Sequence, residues 1–169
     1  FIVLEDAKIT DNWIDDAINS AFWNGGQNCS ANMRQIIHSK VKDEFLDKVS
    51  KKVKALKVGD PLDPSSNMGS MISKKHLATV DGFIQKGIDE GAKLLFGGVS
   101  EKSEKGFFAK PTLFDNLKEN MVIAQEEIFG PVLGVITVND TEEALKIASN
   151  SKYGLHASVF TQDIDRAFH

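Results

Sequence analysis

Short apolar runs alternate along the chain with longer segments in which apolar residues recur every three or four positions. The short runs are typical of buried strands, and the longer segments predict amphipathic helices that each bury one face. Because strands and helices alternate, we expect an α/β fold built as a three-layer open sheet, mainly parallel, with helices on both faces. Strands are predicted at 1–4, 34–38, 93–96, 111–114, 132–138 and 157–160.

Residues that accept hydrogen bonds from free helix N–H groups mark the predicted helix starts. Thr10 or Asp11, Ser39 and Ser73 are the expected N-caps, and Thr141 is expected to open a further helix. The helix after Ser73 should turn one apolar stripe inward, formed by Leu77, Val80, Phe83, Ile84 and Ile88.

The strongest loop signal is the stretch 59–67, which is rich in proline, aspartate and serine. It could be a domain linker, but patterned segments resume at Met68, which favours a surface connection within one domain. Residues 1–169 are therefore expected to form a single domain, with a second polar loop at 100–105.

Composition excludes several classes of function. Hydrophobic residues make up 41% and charged residues 26% of the chain, with a net charge of −4, so neither disorder nor a basic nucleic-acid face is expected. Four scattered histidines give no metal-ligand spacing, and no apolar run is long enough for a membrane span. A single cysteine excludes an internal disulfide framework, which suits a soluble protein of a reducing compartment, the cytoplasm.

That cysteine, Cys29, lies in a glycine-rich connection between a predicted helix and a predicted strand. Free cysteines are most often small buried hydrophobic residues, which is the alternative interpretation. The preceding Gly-Gly-Gln-Asn sequence is polar and flexible where a core residue needs neither property. Backbone N–H groups close to the thiol favour a thiolate and can bind an oxyanion, so we favour a nucleophile.

Two motifs resemble those of one enzyme family. Residues 22–29, Phe-Trp-Asn-Gly-Gly-Gln-Asn-Cys, resemble the cysteine signature of aldehyde dehydrogenases, and 126–132, Glu-Glu-Ile-Phe-Gly-Pro-Val, resemble the second motif of that superfamily. Residues 153–155 and 158–161 resemble the segment that follows, so the resemblance extends in order over essentially the whole chain. The stretch 59–64 with Met68 and Gly69 is more weakly similar to betaine-type and aminoaldehyde-type members.

The resemblance implies that an aldehyde is oxidised to a carboxylic acid with NAD or NADP, through a thiohemiacetal and a thioester on Cys29. Glu127 would then bind the ribose beside the nicotinamide, and Phe129 would pack against that part of the cofactor. His76 falls where members contact the adenosine ribose, although an exposed helix residue is the favoured interpretation. Met33 replaces the small or polar residue that is more usual in the family, which affects the lining near Cys29.

The resemblance places the general-base glutamate, an oxyanion-hole asparagine and the glycine-rich dinucleotide-binding domain before residue 1, and the oligomerisation segment after residue 169. We therefore expect a cysteine-bearing catalytic domain truncated at both ends, inactive alone and part of a homo-oligomer when full length. Two alternatives remain open. One is a CoA-acylating semialdehyde dehydrogenase, and the other is a non-catalytic folded module or truncation product.

Overall fold

The computed structural model describes residues 1–101 and 106–168, which build one six-stranded sheet flanked by helices. Its spatial order is β3-β4-β5-β2-β1-β6, and every neighbouring pair is parallel except β3 with β4. The predicted α/β fold with a mainly parallel sheet is confirmed. The strands are β1 (Ile2–Val3), β2 (Arg34–His38), β3 (Lys93–Phe96), β4 (Thr112–Asp115), β5 (Val132–Val138) and β6 (Val159–Phe160).

The α-helices are α1 (Asp11–Phe22), α2 (Ser39–Ala55), α3 (Lys74–Asp89), α4 (Val122–Gln125), α5 (Thr141–Ser149) and α6 (Ile164–Ala167). The short helix α4 was not expected from the sequence pattern. In the described ranges, none of the helices is long and apolar enough to cross a membrane. Most of the predicted loop at 100–105 lies outside the described residues.

Helix capping partly follows the sequence prediction. Thr10 and Ser73 cap α1 and α3, as predicted, by accepting hydrogen bonds from the backbone N–H groups of Trp13 and His76. Ser39 is the first residue of α2 rather than its cap, because the His38 ring nitrogen accepts from Lys40 N–H instead. Asp140 caps α5 in the same way, immediately before Thr141.

The sheet separates two apolar cores, one on each face. On β5, Leu133 and Val135 pack with α1 and α2, while Val132 and Ile136 pack with α3, α4 and α5. This alternation is the two-residue period of a strand buried on both faces. The predicted inward position of Ile88 is wrong, since that side chain is 37% exposed near the end of α3.

The edge strand β6 is attached to the sheet by aromatic and polar contacts. The Phe160 ring stacks on Phe1 at a centroid distance of 4.6 Å and meets the edge of Trp13 at 4.8 Å. Beyond the strand, Thr161 donates to a carboxylate oxygen of Asp6 at 2.8 Å. These contacts tie the last described elements to residues on both sides of β1.

Candidate active site

The candidate site lies at the edge of the sheet where the parallel strands begin. Strands β2 and β5 are neighbours, with Arg34 opposite Gly134. Cys29 lies on the segment that enters β2, and Glu127 lies on the segment that enters β5. Because the two strands are parallel, both entering segments reach the same edge, and the topology brings the two predicted site residues together.

The loop that carries Cys29 is held by its own side chains. After α1 the chain forms a 3₁₀ turn, Trp23–Gly26, in which Asn24, Gly25 and Gly26 have φ values of 53°, 65° and 69°. Asn24 Nδ2 donates to the carbonyl of Gln27 at 3.1 Å, and Gln27 Nε2 donates to the carbonyl of Asn24 at 3.0 Å. Gln27 Oε1 also accepts from Ile72 N–H at 2.9 Å, which fixes the loop to the segment before α3.

The Cys29 side chain is exposed, so it is not the buried hydrophobic residue that a lone cysteine most often is. Its Sγ lies 3.8 Å from Asn28 Oδ1, and the same oxygen accepts from Ser30 N–H at 3.3 Å. Within the part of the chain that the structure describes, the Cys29 N–H donates no hydrogen bond. The Cys29 thiol and the Cys29 backbone N–H are therefore both free to contact a substrate.

Cys29 and Glu127 line one cleft of about 550 Å³. Met33, half-buried, lies in its wall together with Asn32 and Tyr153. Across residues 1–101 and 106–168, no cluster of three or more His, Cys, Asp or Glu side chains could hold a metal ion. The cleft thus combines a thiol, a carboxylate and apolar walls.

Arg34 lines this cleft and links the elements around it. Its guanidinium donates to the carbonyl of Ala124 at 3.4 Å and to the carbonyl of Ala148 at 3.1 Å. Burial lowers the pKa of the Arg34 guanidinium below its ordinary value. Through these bonds the first residue of β2 is tied to both α4 and α5.

The two adjacent glutamates of the second motif have different surroundings. Both Glu126 carboxylate oxygens accept from Lys152 Nζ at 2.8 Å, and this hydrogen bond lowers the pKa of Glu126. Tyr153 OH also donates to Glu126, at 3.3 Å, while accepting from Glu127 N–H at 3.4 Å. The Glu127 carboxylate is exposed and accepts no hydrogen bond from any described residue.

A carboxylate that accepts no hydrogen bond and lies in the same cleft as the thiol suits the hydroxyl groups of a ribose. An ionised carboxylate offers about four lone-pair sites and donates none, so it can accept from both hydroxyls of a diol. Lys152 and Tyr153 donate hydrogen bonds to the Glu126 carboxylate, whereas the Glu127 carboxylate remains free to accept from the ribose hydroxyls. The residues present therefore fit the ribose end of a nicotinamide cofactor.

Phe129 is half-buried and is not among the residues that line the cleft. Its φ is +56°, a left-handed conformation that is uncommon for a residue with a side chain. The carbonyl oxygen of Phe129 lies 2.7 Å from His76 Nε2, and the two rings meet edge to face with centroids 6.3 Å apart. The expectation that His76 is exposed is wrong, because this contact makes it half-buried, and the apolar pattern of α3 gives no sign of it.

The two motif segments touch through backbone atoms. A Cβ placed on Gly26 would lie 2.2 Å from the carbonyl oxygen of Gly130, far inside contact distance. A Cβ on Gly130 would lie 2.6 Å from a methyl group of Val80 on α3. Only glycine fits at both positions, so the cysteine loop, the second motif and α3 form one packed unit.

The sequence model of the aldehyde dehydrogenase family matches residues 1–169. The chain belongs to this family. A Staphylococcus saprophyticus protein provisionally named an aldehyde dehydrogenase is 47% identical over 167 residues, which are 98% of this chain and 35% of that protein. The chain thus spans about a third of the length of the curated relatives that it matches.

Solved structures of aldehyde dehydrogenases share the fold closely. The aldehyde dehydrogenase KauB from Pseudomonas aeruginosa superposes with a TM-score of 0.93 at 39% identity, covering 99% of this chain and 34% of that one. The NAD+ complex of an aldehyde dehydrogenase from Bacillus cereus gives 0.91 at 40% identity, covering 97% of this chain and 33% of that one. The described residues therefore form part of an aldehyde dehydrogenase fold, the catalytic part by the sequence motifs.

Proposed function

We propose that the full-length protein oxidises an aldehyde to a carboxylic acid with NAD or NADP, and that Cys29 is the nucleophile. The observation that carries the proposal is that the exposed Cys29 thiol and the unengaged Glu127 carboxylate line one cleft. Membership of the aldehyde dehydrogenase family supports it. The substrate is a small-molecule aldehyde, as the family supports.

In the proposed reaction the Cys29 thiolate adds to the aldehyde carbon. A carbon–sulfur bond forms, and the carbonyl electron pair moves to oxygen, giving a thiohemiacetal. The free N–H of Cys29 donates to the negative oxygen as it develops. When bound, the nicotinamide supplies the acceptor for the hydride that leaves this carbon. The thioester that remains on Cys29 is hydrolysed by water, which releases the acid and returns the thiol.

Glu127 and Phe129 are proposed to position the cofactor. Glu127 accepts hydrogen bonds from the ribose hydroxyls, and the Phe129 ring packs against the same end of the molecule. Positioning matters because reacting atoms must lie roughly 3–3.5 Å apart for efficient transfer. The family resemblance assigns the rest of the cofactor site, and the base that activates water, to segments outside 1–169. We therefore propose that residues 1–169 alone do not complete the reaction.

The proposal also covers the compartment and the oligomeric state of the protein. A free thiol is more readily kept reduced in a reducing compartment, and we propose the cytoplasm on that ground. The family resemblance leads us to propose a homo-oligomer for the full-length protein.

One experiment separates the two roles in the full-length protein. An activated ester such as p-nitrophenyl acetate acylates a reactive thiol without any cofactor. Cys29→Ala should abolish both the acyl adduct seen by mass spectrometry and the formation of NADH from an aldehyde. Glu127→Gln should form the adduct normally but slow NADH formation by up to about 100-fold, because the cofactor is misplaced. An adduct on another residue, or NADH formation by Cys29→Ala, would refute the assignment.

A further inference from the structure

We propose that His76 is a positioning residue that holds the turn at Phe129, and through it the cofactor end of the site. The inference rests on the proposed function in one respect, the contact between Phe129 and the cofactor. The hold on the turn itself is a property of this chain alone. His76 is on α3, far along the sequence from the second motif, and belongs to neither motif that identified the family.

The contact between His76 and the turn has a defined direction. A carbonyl oxygen only accepts, so the His76 Nε2 that lies 2.7 Å from Phe129 O carries the hydrogen and donates it. Both the neutral Nε2–H tautomer and the imidazolium ion can do this. The ring also meets the Phe129 ring edge to face, at an interplanar angle of 70°. His76 therefore contacts both the backbone and the side chain of one residue.

The turn that His76 holds needs support from its surroundings. Phe129 has φ +56°, and a residue with a side chain persists in this region only when neighbouring groups fix it there. Helix α3 touches the next residue as well, because Val80 leaves no room for a Cβ on Gly130. One helix thus fixes two successive residues of the turn, the first by a hydrogen bond and the second by close packing.

The backbone that carries His76 is itself held in place. The His76 N–H donates to Ser73 Oγ at 3.1 Å, and Leu77 N–H donates to the Ser73 carbonyl at 3.0 Å. These bonds fix the first turn of a 16-residue helix. Because this backbone is fixed, the hydrogen bond from the His76 ring restrains the Phe129 carbonyl relative to α3.

The test compares His76→Leu with His76→Gln in the full-length protein. Leucine fills similar space without a donor, whereas the glutamine amide can donate in place of the ring. For His76→Leu we expect the Val132 amide, which donates to Gly130 O at 2.8 Å across this turn, to exchange hydrogen faster in the cofactor-free protein. Its dissociation constant for NAD, or for NADP if that binds more tightly, should rise roughly 3- to 10-fold by calorimetry without aldehyde. His76→Gln should restore most of both properties.

Gln85→Leu is the matched control on α3, since it removes an exposed hydrogen bond to Asp89 instead. It should change neither readout. Unchanged exchange of the Val132 amide in His76→Leu would overturn the proposal, and so would a lower melting temperature with unchanged exchange and cofactor binding. Phe129→Ala separates the two hypotheses. If it leaves cofactor binding unchanged, the cofactor role of Phe129 fails, while faster exchange in His76→Leu still supports the hold on the turn.

Discussion

At the scale of single residues, the tightest feature of the site is the contact between Gly26 and Gly130. Gly26 combines a left-handed φ of 69° with a neighbouring carbonyl that would lie 2.2 Å from any Cβ. The two constraints are independent, since one is local backbone strain and the other is a clash with another segment. Substitution here should therefore be costlier than at a glycine with only one of them.

Gly26→Ala should lower the free energy of unfolding by at least about 2 kcal/mol, because a rigid backbone carbonyl must move. Gly82→Ala is the matched control, since Gly82 is exposed within α3 and a Cβ there would meet nothing within 4 Å. That substitution should stabilise the protein by roughly 0.5–1 kcal/mol, the helix propensity difference. Urea denaturation of the full-length variants measures both. Equal stability of the two variants would contradict the packing argument.

At the scale of elements, the attachment of β6 and α6 depends on charge. Arg166 of α6 donates to Glu5 at 3.0 Å, and this hydrogen bond lowers the pKa of Glu5 below its ordinary value of 4.5. Burial alone would raise the pKa of Asp6, but hydrogen bonds from Thr161 and Gln162 outweigh it, so the pKa is lowered. Both carboxylates therefore stabilise the folded arrangement while they are ionised.

The sign of the pH dependence follows from these directions. The contribution of Glu5 is fully present above about pH 4.5, its ordinary pKa, and is lost as the pH falls through the lower folded pKa. Protection of the Leu4 amide, which donates to Phe160 O at 3.0 Å, should fall over that acidic range. Glu5→Gln should lower this protection at neutral pH and make its acid dependence shallower, with Asp6 still titrating.

Hydrogen exchange corrected for its intrinsic rate measures this effect. Glu101→Gln serves as the control, because the pKa of Glu101 is also lowered, by Lys110, but the pair lies on another surface. It should leave the Leu4 amide unchanged. Identical Leu4 protection in Glu5→Gln and the unsubstituted protein would show that the pair of Glu5 with Arg166 does not hold β6.

At the scale of the whole molecule, the sheet and its helices were predictable because their signals are local. The alternation on β5 and the caps at Thr10 and Ser73 each depend on a few neighbouring residues. The order of the strands depends on contacts between distant segments, and the apolar pattern along the sequence does not specify that order. The contact of His76 with Phe129 also joins distant segments, so no local signal predicts it. The family motifs indicated Cys29 and Glu127 but did not show that both line one cleft.

The fold also sets what residues 1–169 should do when expressed alone. Two apolar cores close around one sheet, so we expect the segment to fold. Cys29 should be acylated by p-nitrophenyl acetate in a single burst and then stall, because the family resemblance assigns the base that activates water, worth roughly 100- to 10,000-fold, to a segment outside 1–169. Absorbance at the NADH band should not grow with aldehyde and NAD. Sustained growth that disappears in Cys29→Ala would contradict this prediction.

The pairing of β2 with β5 has a consequence for the order of folding. Arg34 pairs with Gly134, a contact between segments roughly one hundred residues apart, and such distant contacts form late because closing a long loop costs entropy. This pairing, together with the contact between Gly26 and Gly130, brings Cys29 and Glu127 to the same cleft. A nascent or partly unfolded chain therefore carries the thiol but not the assembled cleft, and we expect the proposed reaction only once the sheet has closed.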